Sequence, residues 1–144
     1  MGVRVPRARI SLEAVSRLWQ PPDEVEELFA EALELAPPEP STLCHGDLHF
    51  RQLLVRRGTL TGIVDWVDLC RADPGVDLSL VYGLLPGSAR AAFFEEYGEA
   101  APDSLVRARV LALNLMAVLA RYGRDEGIRR IEEEAVAGLG RVLA

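Results

Sequence analysis

Lysine is absent from this 144-residue chain, so all 16 basic residues are arginine and no chemistry that needs a primary ammonium side chain is open to it. The basic residues are also outnumbered. Against them stand 22 acidic residues, and a formal charge of −6 has the wrong sign for gripping a phosphate backbone, so nucleic acid is not an expected partner. Cysteine is scarce. Cys44 and Cys70 can form one bridge at most, and with no signal-peptide pattern we expect reduced thiols in a cytoplasm, each a small buried hydrophobe beside a strand. Long apolar runs are missing too. The best, Val110 to Ala120, sits between Arg109 and Arg121 and falls well short of the roughly 20 residues that span a bilayer, so it reads as a core helix and no membrane partner is expected.

What is present is a globular composition, 49% hydrophobic and 26% charged, with no internal repeat and no low-complexity segment. A chain of this length fits one domain, 1–144, and buries roughly 68–70% of the surface it exposes unfolded. Apolar spacing predicts helices over Ser11–Trp19, Asp23–Leu35, Leu78–Leu85, Ser88–Tyr97, Ser104–Tyr122 and Asp125–Leu143, with Pro86, Gly87, Pro102 and Gly123 at the joints. The prolines of APPEPST break the second helix and lead, extended, into Leu43 and Cys44. Leu53–Val55 and Leu60–Trp66 are strand-like, and RRGT between them supplies a turn, so one β-hairpin is expected. The fold class is α+β, mainly α: leading helices and connector over 1–40, a loop and hairpin over 41–85, and a helical region over 86–144.

The chemistry concentrates in HGDLHFRQLL, His45 to Leu54, followed by IVDW and DPGVDLS. Asp47 and Gln52 are five apart, and Asp65 closes the hairpin that should fold back over them. In phosphoryl transfer of the protein-kinase type, a loop aspartate orients and deprotonates the attacking hydroxyl, an amide side chain five residues on holds magnesium, and an aspartate after a short hairpin holds magnesium across the phosphates. Order and spacing match that arrangement.

With these motifs the chain resembles the aminoglycoside phosphotransferase and choline kinase-like family, which is built on the protein-kinase fold. By motif the resemblance covers about Leu43 to Leu85. It implies that Asp47 is the catalytic base and that Asp65 and Gln52 bind Mg²⁺ and the donor nucleotide, ATP or GTP. It implies too that Asp77 braces the loop from behind, with His45 and His49 as further loop-bracing residues. The implied activity is ATP-dependent transfer of the γ-phosphate to a hydroxyl of a small molecule.

The sequence departs from the family pattern in three ways. Gln52 stands where an asparagine is usual, and its extra methylene moves the carbonyl by about 1.5 Å, one C–C bond, which magnesium's strict octahedron tolerates badly. The family's N-terminal nucleotide lobe, with its phosphate-covering loop and lysine, is expected to be absent, leaving only the C-terminal lobe. No substrate signature is recognisable. The chain alone is therefore expected to be weak or inactive, completed by a separate N-terminal lobe or a homodimer. The alternative is a non-catalytic lobe that acts as a binding or assembly module.

Plainer readings stand beside these. Asp47 could cap a turn, Asp65 could cap a turn or pair with Arg71, and Asp77 is a good N-cap for the helix it precedes. His45 and His49 flank Asp47 as HxDxH, which a metal-dependent hydrolase would use for zinc, with Asp65 or Cys70 as a further ligand. The acidic groups Glu95, Glu96 and Glu99, and Glu132 to Glu134, could meet a cationic substrate or simply form solvated helix faces.

Overall fold

Prolines and glycines divide the chain as their backbone chemistry requires, and the elements between them assemble in two layers. The computed structural model describes all 144 residues. Its elements are α1 (Arg4–Ala14), α2 (Glu24–Glu34), β1 (Thr42–Cys44), β2 (Leu53–Arg56), β3 (Thr59–Ile63), β4 (Cys70–Ala72), α3 (Gly75–Leu84), α4 (Gly87–Tyr97), α5 (Pro102–Asp125) and α6 (Arg129–Leu143). Single 3₁₀ turns occupy Phe50–Gln52 and Trp66–Asp68. The molecule is mainly helical with two small sheets, in keeping with the α+β class.

The core is built around α5. Pro102 starts that helix, where its missing N–H costs nothing, and Ala108, Ala112, Leu113, Met116, Ala117 and Ala120 are sealed from solvent along it. Alanines at these positions let neighbours approach closely, and α1, α2, α3 and α6 all pack on α5. From α1 come Val5, Ala8 and Leu12, spaced for one helical face; Val25, Leu28, Phe29 and Ala32 do the same from α2.

Three helix boundaries differ from expectation, each for a tertiary reason. The first helix runs over Arg4–Ala14 and not Ser11–Trp19, because Val5, Ala8 and Leu12 are the face that α5 covers, and Pro6 is tolerated in the first turn, where N–H groups lack partners anyway. The long helix continues past Gly123 to Asp125. Gly123 does not end it: a Cβ there would overlap the backbone of Glu132, so the glycine allows the α6 N-terminus to sit against α5. Accordingly α6 begins at Arg129 and not at Asp125.

The expected hairpin is present, with Leu53 opposite Ile63 and an irregularity after Leu54. A second antiparallel pair was not foreseen. β1 and β4, three residues each, pair Thr42 with Ala72 and Cys44 with Cys70, which ties the segment entering HGDLH to the segment leaving the hairpin. Both cysteines are free, but only Cys44 is buried; Cys70 is exposed, against the expectation of a buried side chain. Burial, and after it the Asp77 charge, push the Cys44 thiol above its ordinary pKa of 9.0, so it remains an inert thiol.

Candidate active site

The loop His45–His49 leaves β1 through Gly46, whose φ of 91° lies in the left-handed region. A Cβ at that position would overlap the carbonyl oxygen of Asp68, so only glycine lets the loop lie against the 3₁₀ turn that follows Asp65. Asp77 holds the loop from below. Its Oδ2 accepts the His45 N–H at 2.7 Å and its Oδ1 the Gly46 N–H at 3.1 Å. Because α3 begins at Gly75 with Pro74 at the N-cap, Asp77 lies inside the first turn and its carboxylate serves the loop, not the helix end; the N-cap expectation is corrected.

The two histidine rings brace the loop, His45 against the end of the hairpin and His49 against the Phe50–Gln52 turn. His45 Nε2 lies 2.9 Å from the Val64 carbonyl, which can only accept, so the ring proton is on Nε2; the ring also packs on Trp66 at 4.7 Å between centroids. His49 uses Nδ1 to accept the Arg51 N–H at 3.3 Å, leaving its proton on Nε2, 3.9 Å from Asp47 Oδ2. Burial lowers the His49 pKa below 6.5, and the nearby Asp47 charge opposes that without reversing it. The ring is therefore neutral at neutral pH.

Both rings being engaged this way, no group of three His, Cys, Asp or Glu side chains is assembled to hold a metal ion, and the zinc-hydrolase reading is dropped. A hard cation with oxygen ligands is a different matter. Gln52 is buried, with 6% of its surface exposed, and its Oε1 has no hydrogen-bond partner. A buried carbonyl oxygen without a donor is costly unless something is bound to it. The Gln52 backbone carbonyl accepts the Val64 N–H at 3.0 Å, which fixes Gln52 beside the residue preceding Asp65.

Asp65 itself was expected to end the second strand. Instead β3 stops at Ile63, and Asp65 adopts a left-handed conformation, φ 69° and ψ 55°, before the Trp66–Asp68 turn. Aspartate tolerates that region better than most residues, yet it is a strained choice for a non-glycine. Nor does Asp65 pair with Arg71, whose guanidinium donates to the Ser41 carbonyl at 3.2 Å. Asp47 and Asp65 are both exposed, and the charges of both act on His49, that of Asp47 more strongly. Gln52, Asp65, magnesium and oxygen chemistry therefore fit one another.

One residue of the DPGVD segment carries more than the sequence reading assigned. Asp73 is buried, with Oδ1 accepting the Gly75 N–H at 2.8 Å and Oδ2 accepting Ser104 Oγ at 3.1 Å and Arg107 Nη1 at 3.0 Å. This pins the exit of β4 to α5. A carboxylate two residues before a helix-starting glycine was the available signal, but its partners lie 31 and 34 residues away.

Cavities flank the loop on both sides. An apolar one of about 400 Å³ lies between the hairpin and helices α3 and α4, lined by Leu48, Leu53, Ile63, Leu78, Val81 and Phe93 among others. A smaller polar one of about 140 Å³ contains Asp47 itself, with Ser79 and Asn114. Of the acidic groups, Glu133 and Glu134 are engaged by Arg129 and Arg141, and Glu95, Glu96 and Glu99 lie on exposed surface.

The model of the phosphotransferase enzyme family matches residues 4–111, three quarters of the chain, a span that includes Asp47, Gln52, Asp65 and Asp77. The chain belongs to the phosphotransferase enzyme family. Among curated proteins, the uncharacterized protein YcbJ of Bacillus subtilis (strain 168) is 36% identical over 61 residues, 42% of this chain. Those residues are only 20% of YcbJ, so the chain spans a small part of the relative it matches. No solved structure matches. No helix of this phosphotransferase-family chain is long and apolar enough to cross a membrane.

Proposed function

We propose that this chain is the kinase-like catalytic lobe of an ATP-dependent phosphotransferase that moves the γ-phosphate to a hydroxyl of a small molecule. Asp47 takes the hydroxyl proton. Its side chain is about half exposed, hydrogen-bonded to nothing, and carried on a loop whose backbone is fixed by Asp77 and whose neighbouring imidazole is neutral. That combination is the observation that carries the reading: a free carboxylate on a braced loop suits a base that must meet a substrate oxygen in one geometry. Gln52 and Asp65 would hold magnesium, which supplies charge neutralisation across the donor phosphates.

In this reading the donor's nucleotide-binding part is contributed from outside these residues, by a separate N-terminal lobe or a second copy. Support comes from the hairpin side, where Leu43, Val55, Leu60, Trp66 and Val67 are 66%, 62%, 53%, 50% and 87% exposed. Apolar surface of that extent usually meets a partner. The deciding experiment is Asp47→Asn in a full-length or reconstituted protein containing this chain. Phosphate transfer should fall by about 10²–10⁴, the usual worth of a general base, while folding is unchanged. Transfer at the wild-type rate would refute the assignment.

A second reading, a non-catalytic lobe serving as a binding or assembly module, is favoured by the absence of lysine to pair with donor phosphates. Magnesium-dependent ATP binding measured by calorimetry separates the two. Weak binding by the chain alone that tightens when a nucleotide lobe is added supports the enzyme; no binding in either case supports the module.

A further inference from the structure

On the α1 side of the catalytic loop two cavities adjoin. The smaller holds Asp47, Ser79 and Asn114; the larger, about 500 Å³, takes in Arg71, Asp73 and Arg107. Arg4, Val76 and Leu111 line both.

The charges in the larger cavity do not balance within the protein. Its carboxylate, Asp73, is already taken by the Gly75 N–H, Ser104 and Arg107. Arg107 is more than nine-tenths buried, spends Nη1 on Asp73 and Nη2 on the Ala36 carbonyl and the Asp103 carboxylate, and keeps an Nε–H with no partner. Neither Arg4 nor Arg71 pairs with any carboxylate; the ion pairs of the molecule involve Arg9, Arg107, Arg124, Arg129, Arg141 and His49. Two unpaired guanidiniums and a buried donor without an acceptor thus gather in a chain whose net charge is −6. Planar guanidiniums match oxyanions in two-point hydrogen bonding, so this is a place for carboxylate or phosphate oxygens.

We infer that the acceptor is a small anionic alcohol, its hydroxyl at Asp47 in the smaller cavity and its carboxylate or phosphate group toward Arg4 and Arg71 in the larger one. The inference rests on the reading of Asp47 as base and adds the substrate class. It disfavours cationic amino alcohols and aminosugars, which would bring an ammonium group to these arginines. In the reaction the acceptor oxygen bonds to the γ-phosphorus, the bond from that phosphorus to the leaving diphosphate oxygen breaks, and the hydroxyl proton passes to Asp47. Asn114, whose Oδ1 accepts from Ser11 Oγ at 2.9 Å, keeps its amide donors for the middle of the ligand.

Calorimetry on this chain at low salt, with glycerol 3-phosphate and glycerate as anionic probes and glycerol and choline as neutral and cationic controls, tests the inference directly. At least one anion should bind about tenfold or more tightly than either control, and added sodium chloride should weaken it. Comparing the two anions tells whether phosphate or carboxylate is preferred. The double variant Arg4→Glu with Arg71→Glu should lose that preference, whereas Arg130→Glu, on α6, should not. Should the double variant fail to unfold cooperatively, Arg71→Gln alone, at an exposed position, must still weaken the anion measurably. Choline binding as tightly as the anions, an unaffected arginine variant, or equal loss in Arg130→Glu would overturn the inference. Asp47→Asn distinguishes the two levels: it should retain anion binding while losing transfer. Anion preference together with intact transfer in that variant would sink the base assignment, whereas lost transfer without anion preference sinks only the substrate class.

Discussion

The helical body and the loop layer differ in how completely each satisfies itself. In the body, Phe29, Leu113, Met116 and Leu139 are sealed among α1, α2, α3, α5 and α6, and little is left for a ligand to complete. The loop layer has a carboxylate with no hydrogen bond at Asp47, an unpartnered carbonyl at Gln52, a strained backbone at Asp65 and large apolar side chains in solvent. Folding stability resides in the first and most of the unspent binding capacity in the second, the unpartnered Arg107 Nε–H on α5 being an exception. One helix joins them: α3 buries Leu78, Val81 and Tyr82 in the core and extends Asp77 to the loop. A site can remain unsatisfied because an independent core supports it from behind.

Substitutions can break that division or sharpen it. The largest effect on stability belongs to the body: Leu113→Ala should cost about 2–5 kcal/mol by chemical denaturation, the usual range for a buried leucine. A cost below about 1 kcal/mol would show that α5 is not the keystone described. Asp77→Ala comes next, since it leaves two N–H groups without their acceptor, at about 1–3 kcal/mol each where burial is complete. It should raise amide exchange at His45 and Gly46 while α5 remains protected; uniform exchange in both regions would erase the distinction.

Asp65→Gly should have the opposite sign. Relieving a left-handed non-glycine leaves stability unchanged or raises it by up to about 1 kcal/mol, while magnesium-dependent nucleotide binding is lost. Gln52→Asn should raise magnesium affinity if the extra methylene is a handicap, and an unaltered affinity would place the amide outside the metal's ligands.

The smallest effect is on pH dependence. Burial keeps folded His49 neutral below the ordinary imidazole value of 6.5, whereas the unfolded ring takes up a proton there. The unfolded state then binds more protons, so stability is complete above pH 6.5 and declines as pH falls through it. His49→Gln should flatten that part of the stability curve, and an unchanged slope would show that the ring is solvated.

Local chemistry made much of this legible. The β2–β3 hairpin could be read because RRGT separates two β-branched and leucine-rich runs, and α2 because its apolar residues recur at helical spacing. The five-residue step from Asp47 to Gln52, and the aspartate after the hairpin, marked the loop. Long-range pairing hid the rest. β1 and β4 are three residues each, too short to signal themselves, and stand only because each gives the other its hydrogen bonds. Asp73 had no individual role in the sequence reading because its partners, Ser104 and Arg107, meet it only in the fold. The α1 boundary was missed because its arginines obscured the Val5, Ala8, Leu12 face.

Sequence by itself determined the family to which the chain belongs and marked the candidates for its chemistry, because spacing along the chain dictates what one loop and one hairpin can present. It determined the helical majority as well, since that periodicity is local. Only the tertiary structure decided that Asp77 turns toward the loop, that Gln52 keeps a buried oxygen free, and that Arg4 lines both the cavity that holds Asp47 and the one that holds Arg71. The reason is physical: hydrogen-bond partners and charge balance depend on which surfaces meet, and groups tens of residues apart meet only when the core has folded.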